Sequence, residues 1–153
     1  MKRLRVLLFC LALCVHGYLD AQQPAQPSGP KKEAKPLLFG SLPESFEVNR
    51  SELQKIFALN VNDEVRVQLS NELVIEGKVV DKNQHNPGSI SLNIRVSNFS
   101  NALFNVTLRL SADNSTAIQG RILHPRYGDV LQIFKENEKY YIKKNSQALY
   151  MPE

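Results

Sequence analysis

The sequence predicts a mainly β fold: an antiparallel meander of six to seven strands, forming a half-open barrel or rolled sheet, with one short N-terminal amphipathic helix. Three observations support this prediction. Apolar and polar residues alternate from about residue 64 onward, short clusters of turn-forming residues separate the alternating runs, and only one segment has the spacing of a helix. Consecutive strands with short connections pair in antiparallel fashion, which gives a meander.

The predicted helix begins at Ser51. Gln54 follows at the spacing of a capping box, in which two side chains bond to backbone N–H groups at the helix start. The apolar residues of this segment recur on one helical face: Leu53, Ile56, Phe57 and Leu59. Upstream, residues 37–39 and 46–48 are short apolar patches that fit either an edge strand or a loop held against the core.

The strands are predicted wherever the residue pattern has a period of two. The alternating runs cover residues 64–69, 73–80, 90–96, 104–110, 118–122, 130–134 and 140–142. Turn-forming residues separate them at 70–71, 83–88, 98–101, 113–115 and 136–138. In the last run, Tyr140 and Tyr141 stand beside three lysines and could stack a sugar or a base. The favoured alternative is that one tyrosine packs inward and that the lysines keep an edge strand soluble.

The first 21 residues are predicted to be a signal peptide. A basic start precedes a short apolar run, and small residues suit cleavage after Gly17 or Ala21. Residues 22–36, rich in proline and lysine, are expected to form an extended linker, and residues 37–153 a single β-rich domain. An alternative is lipid attachment at Cys14, but Leu13 is larger than the residue that usually precedes a lipidated cysteine.

Export has consequences for the compartment and for the chemistry of the chain. Both cysteines, Cys10 and Cys14, lie in the predicted signal peptide, so the mature chain is expected to have no disulfide and no thiol. A cysteine-free exported domain of this size favours a secreted or periplasmic bacterial protein. Four Asn-x-Ser/Thr sequons favour the eukaryotic alternative, at Asn49, Asn98, Asn105 and Asn114.

The charge of the mature chain is too small to predict a nucleic-acid partner. Removal of three basic residues and one acidic residue with the signal peptide lowers the formal net charge from +4 to about +2. No second apolar stretch approaches the ~20 residues of a membrane helix, so no integral membrane segment is expected after cleavage.

The catalytic motifs searched for in the sequence are missing, so we expect no enzymatic activity and no cofactor. His85 and His124 have no second ligand at zinc spacing, and hence no metal site is predicted. The sequence has neither a Gly-x-Ser-x-Gly elbow nor a glycine-rich phosphate loop. An enzyme of unrecognised type is the third hypothesis for the function.

The polar face of the central strands is the candidate binding surface. If consecutive strands pair, they bring together three arginines, three amides and one hydroxyl: Arg95, Arg109, Arg121, Asn93, Asn105, Gln119 and Thr107. Arginine forks and amides are suited to an anionic or glycan ligand. The alternative is that these side chains are simply the solvated outer face of a one-sided sheet.

The chain also resembles a known protein segment. The resemblance rests on the order of three segments: Phe46-Glu47-Val48, then the short helix, then residues 62–69. This order is similar to the N-terminal β-rich, prodomain-like segment that precedes the catalytic domain in secreted bacterial metzincin-type zinc metalloproteases. There, a "Gly-Asp-x-Val…Leu-Pro-Leu" stretch leads into a meander. The "Gly-x-Ile…Tyr-x-Ile" close of that segment is similar to residues 120–122 and 140–142, so the resemblance runs from about residue 46 to residue 142.

This resemblance implies a module without protease activity, because the sequence has no His-Glu-x-x-His motif. It also excludes latency through a cysteine, since none remains after export. We therefore expect a secreted, non-catalytic binding or interaction module, first as a prodomain-like binder of an exported protein. The alternative is a cell-envelope module that binds a glycan or another anionic ligand.

Overall fold

The computed structural model describes residues 34–111 and 115–146, and this part of the chain forms one antiparallel sheet of eight strands with one α-helix. The predicted signal peptide, most of the predicted linker and the sequon at Asn114 lie outside the described residues. The elements in chain order are β1 (Ser45–Val48), α1 (Arg50–Ile56), β2 (Glu64–Gln68), β3 (Val74–Asn86), β4 (Ser89–Val96), a 3-10 turn (Ser97–Phe99), β5 (Ala102–Leu110), β6 (Thr116–Leu123), β7 (Asp129–Glu136) and β8 (Lys139–Ser146).

The sheet is the predicted meander rolled into a half-barrel. Strands β2 to β8 each pair with the next strand in the sequence, and β1 returns to pair with β8. The two edge strands β1 and β2 meet at one end, where the Asn49 N–H donates to the Leu69 carbonyl oxygen at 2.8 Å. The fold class is confirmed. The predicted strand number was low by at least one, because Phe46-Glu47-Val48 is part of a strand and not a loop.

The core lies on the concave side of the sheet, under the helix. Leu53 and Ile56 of α1 are almost fully buried, in the same cluster as Leu92, Phe104 and Ile122 of the strands. One face of each central strand is therefore apolar because it packs against the helix and the facing strands. This leaves the predicted polar series on the convex outer face, as the alternation requires.

The cap of the helix lies two residues before the predicted one, and the helix runs from Arg50. Asn49 is the N-cap, and its Oδ1 atom accepts from the backbone N–H of Ser51 at 2.9 Å and from the Ser51 hydroxyl at 2.8 Å. The prediction of Ser51 as the cap was wrong because asparagine caps at least as well, and Ser51 is here its donor. The helix also ends at Ile56 instead of Leu59.

A bulge in β3 places a lysine at the C-terminal end of the helix. The register of β3 against β4 shifts between Val79 and Asp81, which turns Lys82 toward the inside of the half-barrel. The Lys82 ammonium then donates to the carbonyl oxygens of Phe57 at 3.1 Å and Leu59 at 2.7 Å. A cation at this position complements the carbonyl end of the helix.

Two local predictions about the strands need correction. The residues predicted as a turn at 83–86 belong to β3 and pair with Ser89, Ile90 and Ser91 of β4, so the connection shrinks to Pro87 and Gly88. Pairing with β4 outweighs the turn preference of these exposed polar residues. Strand β8 is also not an edge strand, because β1 covers it.

The chain before β1 is held against the start of β7 by a buried carboxylate. Asp129 is 3% exposed and accepts from the backbone N–H groups of Leu38 at 2.7 Å and Phe39 at 2.8 Å. The Gly128 N–H also donates to the carbonyl oxygen of Pro36 at 2.8 Å. Residues 36–39 are thus fixed to the sheet. In the described ranges, no helix is both long and apolar enough to cross a bilayer.

Candidate functional site

The register of the sheet places the predicted site residues in separate transverse rows on the outer face. Asn93, Asn105 and Arg121 are direct neighbours on β4, β5 and β6, and they form one row. Thr107 and Gln119 pair with each other in the next row. The amide and arginine series therefore does share a surface, as consecutive pairing predicts.

The three arginines do not converge on one point. Arg95 pairs with Leu103 near one end of β5, whereas Arg109 pairs with Ser89 near the other end. Six residues of extended strand separate these two positions, which is about 20 Å. Arg95 also donates to the carbonyl oxygen of Asn101 at 3.3 Å in the adjacent turn. Arg121 lies between them, and the structure groups it with the amides alone.

A ladder of side-chain hydrogen bonds leads to Arg121. The Asp81 carboxylate accepts from the amide of Asn93 at 3.1 Å, and the Asn93 carbonyl accepts from the amide of Asn105 at 2.8 Å. The bond to Asn93 fixes the orientation of the Asn105 amide, and Asn105 is the register partner of Arg121 on β6.

The sheet opens between β6 and β7. Strands β5 and β6 pair over their full length, but β6 and β7 pair only from Gly120 to Leu123. In the part of β6 before Gly120, the hydroxyl of Tyr140 supplies hydrogen bonds that β7 does not. It accepts from the backbone N–H of Ile118 at 3.1 Å and donates to the carbonyl oxygen of Thr116 at 3.4 Å. Tyr140 is 1% exposed, so the sheet is held open from the core side.

This opening forms a cleft of about 480 Å³ on the convex face, which we term the outer cleft. Its polar and aromatic lining residues are Asn105, Gln119, Arg121, Gln132, Phe134 and Lys135. Three of these belong to the predicted site. The other three were not predicted as site residues, because residues 130–134 were assigned to a strand without a face and Lys135 lies just beyond that run.

Arg121 is the cation of the outer cleft that is available to a ligand. Lys135 is engaged by Glu138, with its Nζ atom 2.9 Å from Oε1 and 2.8 Å from Oε2. The hydrogen bond and the charge of Lys135 hold the pKa of Glu138 below its ordinary value. The side chain of Arg121 makes no hydrogen bond or ion pair with any residue in the described ranges and is solvent-exposed.

An aromatic pair stands beside the outer cleft. Phe134 and Tyr141 are register partners on β7 and β8, and their rings stack with centroids 5.7 Å apart and planes inclined by 26°. Both side chains are half-buried. A second hollow of about 470 Å³ lies on the other side of Phe134, lined by Ser45, Gln132, Phe134, Glu136, Lys143 and Asn145.

The remaining candidates lie elsewhere. Thr107 and Arg109 line a separate hollow with His85 near the end of β3. His124 stacks edge-on against Tyr127, with centroids 5.1 Å apart, and its Nδ1 atom accepts from the Arg126 N–H. Among residues 34–111 and 115–146, no group of three His, Cys, Asp or Glu side chains is arranged to hold a metal ion.

No protein-family profile, no curated protein and no solved structure matches the chain.

Proposed function

We propose that the mature chain is an exported, non-catalytic binding module that holds an anionic saccharide in the outer cleft. The observation that supports this most is the opening between β6 and β7, which gathers a guanidinium, several amides and an aromatic face around one concave site. The proposal of export, to the periplasm or the exterior, rests on the sequence of residues 1–21.

The chemistry of the lining residues favours a saccharide. Amide side chains both donate and accept, so Gln119 suits adjacent hydroxyl groups of a sugar ring. The other two amides of the lining are held in place by neighbours, since Asn105 donates to Asn93 and Gln132 accepts from Asn145. The exposed face of Phe134 offers a flat apolar surface to the C–H side of such a ring. Arg121 suits a carboxylate or sulfate group, because its fork of N–H donors matches two anionic oxygens.

The same lining residues favour binding without turnover. The described residues that line the outer cleft include no carboxylate, imidazole, hydroxyl or thiol side chain. General acid–base and nucleophilic mechanisms need such groups within hydrogen-bond reach of the reacting atoms. Besides Arg121, the lining residues include one titratable side chain, Lys135, and its ammonium group is paired with Glu138.

A saccharide array tests this proposal. The mature chain, applied to immobilised neutral and acidic oligosaccharides, should be retained by acidic members. The Arg121→Gln variant should lose that retention at least tenfold, whereas Arg126→Gln, which removes an equally exposed arginine from the β6–β7 turn, should keep it.

Three results would contradict the proposal: retention on no saccharide, equal retention on neutral and acidic members, or equal retention of the Arg121→Gln and Arg126→Gln variants. Capture of an exported protease in place of any saccharide would favour the prodomain-like role that the sequence resemblance implies.

A further inference from the structure

We infer that the outer cleft is one end of a longer groove that binds a linear acidic oligosaccharide, with Arg121 and Lys143 contacting two separate acidic units. The Phe134–Tyr141 pair stacks against the sugar rings between these contacts. This inference rests on the proposed function and deepens it, because it specifies the length and the charge pattern of the ligand.

The register of the sheet sets the spacing of the two cations. Arg121 pairs with Gln132, and Gln132 pairs with Lys143, so the three side chains form one transverse row across β6, β7 and β8. Two strand spacings separate the cations, which places their Cα atoms about 10 Å apart. This separation is comparable with the distance between the outer acidic groups of a three-unit sugar acid.

The surface between the two cations is continuous. Gln132 and Phe134 line both the outer cleft and the second hollow, which also contains Lys143. The two hollows therefore adjoin across β7. A ligand lying along the row would pass from one hollow to the other over the side chain of Gln132.

The aromatic pair runs parallel to the cationic row, one row further along the strands. Phe134 follows Gln132 by two residues on β7, and Tyr141 precedes Lys143 by two residues on β8. Residues two apart on a strand lie on the same face about 7 Å from each other. Acidic groups on one side of a saccharide chain can thus meet the cations while its rings meet the aromatic faces.

The charge of the groove is complementary to an anion. Neighbouring lysines are paired, since Lys139 bonds to Glu47 and Lys144 to Glu44, both at 2.9 Å. Lys143, by contrast, is exposed and has no ion pair within the described residues. The single carboxylate that lines the second hollow, Glu136, lies four residues beyond Gln132 on β7, about 13 Å from the cationic row.

The direction of the groove distinguishes a saccharide from an acidic peptide. A peptide usually binds a sheet by adding a strand parallel to an exposed edge, where it gains main-chain hydrogen bonds. The row of Arg121, Gln132 and Lys143 instead crosses three interior strands of the sheet. Recognition along this row must come from side chains, as is usual for sugars.

Calorimetric titration of the mature chain with galacturonate and trigalacturonate tests the inference, with galacturonate affinity measured by displacement. We expect trigalacturonate to bind at least tenfold more tightly than galacturonate. Lys143→Gln should remove most of this advantage and leave galacturonate affinity within twofold. Lys78→Gln, an exposed lysine on the outer face of β3, should change neither affinity.

Equal affinities for the two acids, or equal behaviour of the Lys143→Gln and Lys78→Gln variants, would overturn the extended groove. Binding of triglutamate as tightly as trigalacturonate would overturn the saccharide assignment in favour of an acidic peptide. The Arg121→Gln variant distinguishes failure of the extended groove from failure of the proposed function. If it loses galacturonate while no length dependence is found, the proposed function survives alone; if it loses nothing, the proposed function fails as well.

Discussion

Among single residues, Tyr140 has the largest influence on the candidate site. Its ring belongs to the core, but its hydroxyl lies between two strands and satisfies the Ile118 N–H and the Thr116 carbonyl group. A buried donor without a partner is costly, so the hydroxyl compensates for the missing pairing with β7. The sequence indicates that one of the two tyrosines packs inward, which is confirmed. The hydroxyl's partners on β6 lie too far along the chain to be predicted from local patterns.

The first prediction concerns this hydroxyl. Tyr140→Phe should lower the free energy of unfolding by about 1–3 kcal/mol, because it leaves the buried Ile118 N–H unsatisfied. Denaturant unfolding measures the change. Tyr141→Phe, on the outer face, should stay within about 0.5 kcal/mol of the parent chain. Equal stability of the two variants would show that the hydroxyl of Tyr140 does not support β6.

The second prediction separates the arginines. Arg121→Gln should weaken binding of trigalacturonate tenfold or more, since a charge-assisted hydrogen bond contributes about 1.5–3 kcal/mol. Arg95→Gln and Arg109→Gln should weaken it less than threefold, because both side chains lie outside the outer cleft. Calorimetry on the three variants distinguishes the cases. Similar losses of affinity in all three variants would show that the three arginines form one binding surface, as the sequence alone suggests.

At the scale of elements, the strands were predictable because burial of one face imposes a period of two on the residues. The ends of the helix and of the strands were harder to predict. Asn49 and Ser51 are both good caps, and the residues at 83–86 suit both a turn and an exposed strand. In each case a partner distant in sequence decides: the Leu69 carbonyl oxygen binds the Asn49 N–H, and β4 pairs with the end of β3.

The candidate site was half predictable for a related reason. Consecutive strand pairing correctly brings Asn93, Asn105 and Arg121 into one row. The contribution of β7 was not foreseen, because a run such as Val130-Leu131-Gln132-Ile133-Phe134 does not show which apolar residues face outward. Phe134 stands on the convex side with Gln132, whereas Leu131 and Ile133 are core residues and Val130 is buried as well.

The third prediction tests the close packing of β3 against β4. A Cβ atom at Gly77 would lie 2.0 Å from the carbonyl oxygen of Arg95, a backbone atom that cannot move without breaking the ladder. Gly77→Ala should therefore destabilise the domain by at least the ~1–3 kcal/mol of an overpacked core. The control is Gly40→Ala, whose Cβ would meet its nearest neighbour at an ordinary 3.6 Å. A stability of Gly77→Ala equal to that of the control would contradict this register.

At the scale of the whole molecule, the half-barrel is held by contacts at its margins as well as by its core. The Asn49 N–H joins the two edge strands, α1 covers the concave face, and the buried Asp129 carboxylate fixes Leu38 and Phe39 to β7. Asp129 was not singled out from the sequence, since acidic residues at strand starts are common. Its backbone partners are about ninety residues away in the chain.

The fourth prediction follows from the expectation that the fold needs neither a disulfide nor a metal ion. The mature chain should keep its melting temperature when a chelator and a reductant are added, because its cysteines are expected to leave with the signal peptide. Thermal unfolding followed by circular dichroism measures this. A fall of several degrees with chelator alone would reveal a metal site, and a fall with reductant alone would reveal a retained disulfide.

If the opening between β6 and β7 is a ligand site, amide chemical shifts measured by NMR will locate the bound ligand there residue by residue. Trigalacturonate added to the mature chain should shift the amides of Gln119, Arg121, Gln132 and Phe134, with little change at Arg95 and Arg109. Shifts confined to strands β2 to β4, or a spectrum unchanged at saturating saccharide, would contradict the account.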